Sequence, residues 1–369
     1  MTAKPEGDLP VRFPIFDGHN DALLALERDP RRPPSLLERS PSGHLDLPRA
    51  IEGGLAGGMF AVFVPSSRQP GMRRSGGDDG YEMPYAATPG LARAQRTAGA
   101  MAARLFRAER MSEGRLKVVR SVFELRACVR DGVLAAVLHF EGAEAIDREL
   151  HALEVIHQAG LRSLGIVWSR PNAFGCGVPF KFPASPDIGP GLSDAGAALV
   201  RACNELRILI DLSHLNEKGF WDVARSSNAP LVATHSNAHA LCPSSRNLTD
   251  GQLAAIRESS GLVGVNFAVS QLRPDGRPDP DTPLEVIVRH IDHLLERLGE
   301  DGVGFGSDFD GTLVPRAIGD VTGLPRLIDA LRLHGYDDRL LGKLCFENWL
   351  RVLALSWRSG SVPEASSAA

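Results

Sequence analysis

Six side chains of metal-ligating type stand where short apolar runs of this chain end: His19 and Asp21 in "DGHND", Glu141 in "VLHFEG", His214 in "LIDLSH", His235 in "LVATHS" and Asp308 in "GFGSDFDG". Taken singly, each has a plainer reading. "DGHND" and "GSDFDG" have the composition of turns, and a lone histidine at a strand end is commonly a satisfied core or rim residue. Taken together they are imidazole nitrogens and carboxylate oxygens, the donor set of zinc or a similar divalent ion. That chemistry requires the six to converge.

Convergence is a matter of fold. The apolar runs predict strands over Arg12–Asp17, Gly58–Val64, Leu134–Glu141, Arg162–Trp168, Ile208–His214, Pro230–His235, Leu262–Phe267 and Val303–Asp308. Amphipathic helical patterns separate most of them, among them "LARAQRTAGAMAARLFRAERM", "DRELHALEVIHQAG", "DAGAALVRACNELR", "TDGQLAAIRES" and "LEVIVRHIDHLLERL". Alternation of this kind means a parallel sheet. Eight strands in 369 residues suggest an α/β fold of the (β/α)8 TIM-barrel type, with the active site at the C-terminal ends of the strands. An open doubly wound sheet is the alternative, but no GxGxxG or GxxxxGK[ST] follows any strand. In a barrel all six groups would face one mouth. His19 and Asp21, two apart in an extended segment, would point the same way. His139, two residues before Glu141, would also point inward one layer deeper, either supporting the site or filling the barrel.

The rest of the sequence sets bounds. Residues 1–11 read as an N-terminal extension, 12–357 as a single barrel domain, and 358–369 as a disordered polar tail. Two Gly/Pro-rich stretches, "PSSRQPGMRRSGGDDGYEMPYAATPG" and "SRPNAFGCGVPFKFPASPDIGPGL", follow strands and should form loops on the C-terminal rim, where lids and site walls are found. The segment "LLGKLCFENWLRVLALSW" reads as closing helices with packing aromatics. His290 and His293, three apart on a helix, read as surface or core residues. A net charge of −4 offers no basic field for nucleic acid or an anionic membrane. No signal peptide or membrane span is evident, so the expected compartment is the cytoplasm. The five cysteines are scattered without a CxxC pair, which favours plain thiols over disulfides or thiolate zinc.

The ordered set "DGHND", "FEGAEAID", "DLSHL", "ATHSNAHALCPSSRN" and "GFGSDFDG" resembles the zinc-dependent membrane (renal) dipeptidase family and its bacterial relatives, within the amidohydrolase-like barrels. The resemblance runs from about Phe13 to Trp357. It implies two divalent metal ions, zinc in that family. His19, Asp21 and Glu141 would hold one; Glu141, His214 and His235 would hold the other, with Glu141 as the bridge. The implied nucleophile is a bridging hydroxide attacking the amide carbonyl of a dipeptide. Asp308 would pass a proton to the leaving nitrogen, and Arg246 in "PSSRN" would hold the substrate carboxylate. A homodimer is also what the resemblance suggests.

One position departs from the family pattern. Where the family has a carbonyl-polarising histidine, ungapped counting from Glu141 reaches Trp168, whose indole offers one N–H and cannot become cationic. Three readings stay open: Trp168 donates from its own position, Arg170 or Asn172 takes the role, or the substrate is another small amide or ester. Trp168 merely packing at the mouth, in a catalytically idle barrel that binds a small carboxylate ligand, is the reading from outside enzymology.

Overall fold

The computed structural model describes residues 13–29, 35–67, 71–74 and 80–357. The expected extension and tail lie outside these residues. Eight parallel strands close into a barrel: β1 (Ile15–Asn20), β2 (Leu55–Phe63), β3 (Leu134–Glu141), β4 (Leu161–Gly165), β5 (Leu209–Asp211), β6 (Val232–Ser236), β7 (Leu262–Val265) and β8 (Val303–Phe305). They follow one another around the ring in chain order, and β1 meets β8 at Asp17↔Phe305. The long β2–β3 ladder runs from Gly57↔Ala135 to Phe63↔Glu141. The other edge of β3 is shared: a short strand, Leu116–Val118, pairs with its beginning and β4 with its end. The sequence reading missed Leu116–Val118, which is only three residues long.

The alternation of β3 shows how the barrel is filled. Ala136, Leu138 and Phe140 face outward into the core beneath the helices, whereas Ala135 and Val137 face an inner core with Phe16, Met59 and Trp349. His139 and Glu141 continue the inward row toward the mouth. The C-terminal helix Asn348–Trp357 contributes its aromatics as packing, as expected. Trp349 is fully buried, lies 5.6 Å from the Phe16 ring and donates its indole N–H to the Phe305 carbonyl. Glycine is required at Gly18, where a Cβ would come within 2.3 Å of the Trp349 ring.

The helices Leu91–Met111 and Leu284–Leu298 match their predicted spans, and Asp194–Leu206 and Asp250–Glu258 nearly so. The two Gly/Pro-rich stretches are not plain loops. Arg73–Arg74, Tyr81–Met83 and Phe180–Phe182 pair as a small antiparallel sheet that ties one rim loop to the other. Strands of two or three residues carry too little period-2 pattern to be read in advance. All five cysteines are buried with free thiols. Among the described residues no helix is long and apolar enough to cross a membrane.

Candidate metal centre

The strand ends deliver the six groups to one place. His19 and His235 sit within their strands, Glu141 ends β3, and Asp21 stands just before the helix Ala22–Arg28 with its side chain free of any capping bond. His214 and Asp308 lie three residues beyond the last paired residues of β5 and β8, where the predicted strands were too long. Both adopt left-handed backbone, at φ 67° and 59°, as does Asp310 at 69°. Such conformations are costly for non-glycine residues and cluster at functional sites. Here they turn the chain out of the ladder and into the mouth.

Glu141 is the centre of the cluster. Its Oε1 lies 2.9 Å from His214 Nε2, 3.6 Å from His235 Nε2 and 3.8 Å from His19 Nε2. His19 Nε2 lies 3.6 Å from Asp21 Oδ2, and His214 Nε2 is 3.0 Å from His235 Nε2. Ligand atoms of His19, Glu141 and His235, and separately of His19, Asp21 and Asp308, fall within 4.8 Å of one another. All six side chains are buried or nearly so.

The surroundings prepare nitrogen lone pairs for a cation. Ser169 Oγ lies 2.7 Å from His214 Nδ1, and Thr234 Oγ1 lies 2.8 Å from His235 Nδ1. Thr234 Oγ1 in turn donates to Asp211 Oδ2 at 2.7 Å. Partners on Nδ1 fix the tautomer and leave Nε2 free to ligate. Meanwhile both ring nitrogens of His19 and Oδ1 of Asp21 are buried without a hydrogen-bond partner. Buried polar atoms are rarely left so. Orphaned donors of nitrogen and carboxylate type, around one carboxylate that reaches three imidazoles, fit a divalent-metal centre.

Titration behaviour points the same way. Burial pushes Glu141 well above the usual carboxylate range, and Asp21 adds to the shift. Burial works against charge on His19, but Glu141, Asp21 and Asp308 together raise it to about 10. Without a cation the Glu141–His19 pair therefore holds on to a proton. Burial holds His214 and His235 neutral, well below the usual imidazole value, with nearby cations assisting. Burial also raises Asp308 to about 6, opposed by His19, supported by Asp21 and opposed again by the Asn266 amide.

The remaining sequence-derived residues divide. Arg246 is buried, and its guanidinium donates to the His235 carbonyl at 3.1 Å while Nε has no partner. Asn247, donating to the carbonyls of Cys242 and Gln271, fixes the loop that carries it. Trp168 stands beside the centre, its ring 5.9 Å from His214, 4.9 Å from Phe63 and 5.6 Å from Phe180. Arg170 and Asn172 are committed elsewhere. Arg170 is fully buried and bonds Glu144, Ser66 and the Val64 carbonyl. Asn172 donates to the Ile166 carbonyl and accepts from the Phe174 and Gly175 amides. Sequence reasoning missed Asn266, which donates to Asp308 Oδ2 at 3.0 Å. The available signal was a polar residue directly after the apolar run "LVGV", at the mouth end of β7.

The comparisons with known proteins follow this geometry. The family model described as membrane dipeptidase (peptidase family M19) matches residues 5–357. The chain belongs to the membrane dipeptidase family. It is a metal-dependent, dipeptidase-like hydrolase on an M19 barrel. A metallopeptidase of Rhodobacter sphaeroides, solved with a phosphinate mimic of the dipeptide L-Ala-D-Ala, is 53% identical with a TM-score of 0.89, covering 94% of this chain and 100% of that one. A second solved M19 metallopeptidase, dipeptidase AC, is 55% identical with a TM-score of 0.89 over 95% of this chain and all of its own. A protein of the pqqA 5′ region of Klebsiella pneumoniae is 56% identical over 247 residues, 67% of this M19 chain and 91% of the relative.

Proposed function

We propose that this M19 chain hydrolyses the amide bond of dipeptides with a free carboxylate, using two divalent ions, zinc by the donor set. The observation that carries the reading is Glu141 Oε1 within 2.9, 3.6 and 3.8 Å of imidazoles from three separate strand ends. His19, Asp21 and Glu141 would hold one ion, and Glu141, His214 and His235 the other. When bound, such ions would lower the pKa of a ligated water and polarise the scissile carbonyl.

The protein's own groups supply the rest. Asp308, oriented by Asn266, takes a proton from the attacking water and gives it to the leaving nitrogen. Arg246, with an unsatisfied Nε beside the His235 strand end, offers its fork to the substrate carboxylate. Trp168 and Phe180 pack against the His214 ring, and Phe63 packs against Trp168. Support for a dipeptide comes from the Rhodobacter sphaeroides relative, which binds a mimic of L-Ala-D-Ala. Trp168 in place of a carbonyl-polarising histidine favours a second reading, another small amide or ester.

Steady-state kinetics on L-Ala-D-Ala and its C-terminal amide test this. Arg246→Ala should raise KM about 10- to 150-fold, the worth of a charge-assisted contact, and amidation should do the same to the native protein. If Trp168 donates to the carbonyl, Trp168→Phe lowers kcat with KM nearly unchanged. Amides turning over as well as acids, with a silent Trp168→Phe, would hand the lead to the second reading.

A further inference from the structure

The layer directly beneath the metal centre is polar, although nothing assigns it a task. His139 is fully buried on the inward row of β3, above Ala135 and Val137 and below Glu141. An imidazole is an expensive filler for such a position, since a buried polar atom without a partner costs about 1–3 kcal/mol. Its Nδ1 is anchored 2.8 Å from the hydroxyl of Ser163, the residue directly opposite in the β3–β4 ladder. Its Nε2 has no hydrogen-bond partner.

Beside it stands His19, whose ring nitrogens also lack a partner. The two rings meet edge to face, centroids 5.4 Å apart at 80°. Asp211 Oδ2 lies 3.7 Å from His139 Nε2, and ligand atoms of His19, His139 and Asp211 all fall within 4.8 Å. Since Nε2 of His19 faces Asp21 and Glu141, Nδ1 is the nitrogen left for this layer.

We propose that His139 is a positioning residue for the metal centre: anchored by Ser163, its ring stands edge-on against His19 and keeps the His19 Nε2 lone pair turned to the mouth. With the Ser163 hydroxyl donating to Nδ1, the His139 proton sits on Nε2 and faces the Asp211 carboxylate 3.7 Å away, while His19 Nε2 keeps a lone pair for a cation. Asp211 joins this layer to the other ligand set, because the same Oδ2 accepts the Thr234 hydroxyl that contacts His235 Nδ1. One buried layer thus orients a histidine of each ion's set.

The inference rests on the metal-centre reading, and the test separates the two. Zinc affinity of the full chain is measured by chelator competition, with the thermal midpoint of the metal-free protein alongside, for native, His139→Leu, His139→Gln and Ser163→Ala forms. His139→Leu should weaken one of two ions about 10- to 100-fold, the usual cost of losing a supporting partner. His139→Gln, whose amide can still bond the Ser163 hydroxyl and fill the place beside His19, should recover most of that affinity. Ser163→Ala, which frees the ring tautomer with little change of volume, should weaken the same ion without moving the metal-free midpoint, and it decides the matter if the leucine variant does not fold. Native affinity in Ser163→Ala and in a folded His139→Leu overturns the inference and leaves the metal centre standing. A third ion, lost on removing His139, also overturns it by making His139 a ligand. A native protein that binds no zinc sinks the metal-centre reading as well.

Discussion

Glu141 and Glu144 stand three residues apart in "FEGAEAID", both buried, and the same Glu→Gln change should break different things at each. In the metal-free protein burial already favours the protonated form of Glu141. A glutamine there imitates the neutral acid, so metal-free stability should stay near native while zinc affinity and turnover fall together. Glu144 instead pairs with buried Arg170 at 2.8 Å. Removing its charge leaves a guanidinium uncompensated, and stability should drop by about 3–5 kcal/mol. Denaturant unfolding and zinc titration of both variants check this; equal effects at both positions would mean the wrong carboxylate is in the centre. Asp308→Asn should keep the metal and lose about 10²- to 10⁴-fold in kcat, the usual worth of a positioned proton-transfer group. If it strips the metal instead, Asp308 is a ligand. The identities and spacing of these residues were legible in the sequence because each ends an apolar run. The Glu144–Arg170 pair was not, since nothing local joins residues 26 apart on different strand-to-helix loops.

At the scale of elements, the legible parts were those with a strong period: the long helices and β3. The paired strands β5 and β8 are shorter than predicted because the ladder stops where His214 and Asp308 turn toward the mouth. The rim sheet built from Tyr81–Met83 and Phe180–Phe182 was hidden in glycine and proline. His290, left between surface and core by its helical spacing, is a buried clamp. Its Nδ1 accepts from the Ala238 amide, and its Nε2 donates to the Leu272 carbonyl, joining the loop after β6 to the segment after β7. Burial lowers it to about 4, against the pull of the Leu272 carbonyl and with help from His293 and Arg289. Between about pH 4 and 6.5 the unfolded chain therefore binds a proton that the folded chain refuses. The His290 contribution is whole above pH 6.5 and is lost as the pH falls toward 4, by up to about 3 kcal/mol. His290→Gln, which retains a donor and an acceptor but does not titrate, should flatten the stability–pH curve of the metal-free protein by that amount. Urea unfolding at pH 7, 6 and 5 should show about 2 kcal/mol of it; parallel curves for the two forms would show that His290 does not titrate this way.

The whole molecule separates a stable floor from a reactive mouth. Trp349 and the C-terminal helix close the bottom of the barrel with apolar packing, the His139–Asp211 layer lies between, and the charged cluster occupies the top. The fold was legible because strand and helix alternate along the entire chain, and its active face followed from the parallel direction of the strands. What a pattern could not display was which polar residues beneath the mouth support which ligand, because those contacts join strands far apart in sequence. The central claim is that the six converging groups form a two-ion hydrolytic centre. It is tested most directly by adding zinc stepwise to chelator-treated protein while counting bound ions and following hydrolysis of L-Ala-D-Ala in the same samples. The account predicts two ions per chain, activity that rises with their occupancy, and loss of both on Glu141→Gln with the fold intact. A correctly folded chain that binds no zinc, or that cleaves the dipeptide equally well in excess chelator, would contradict it.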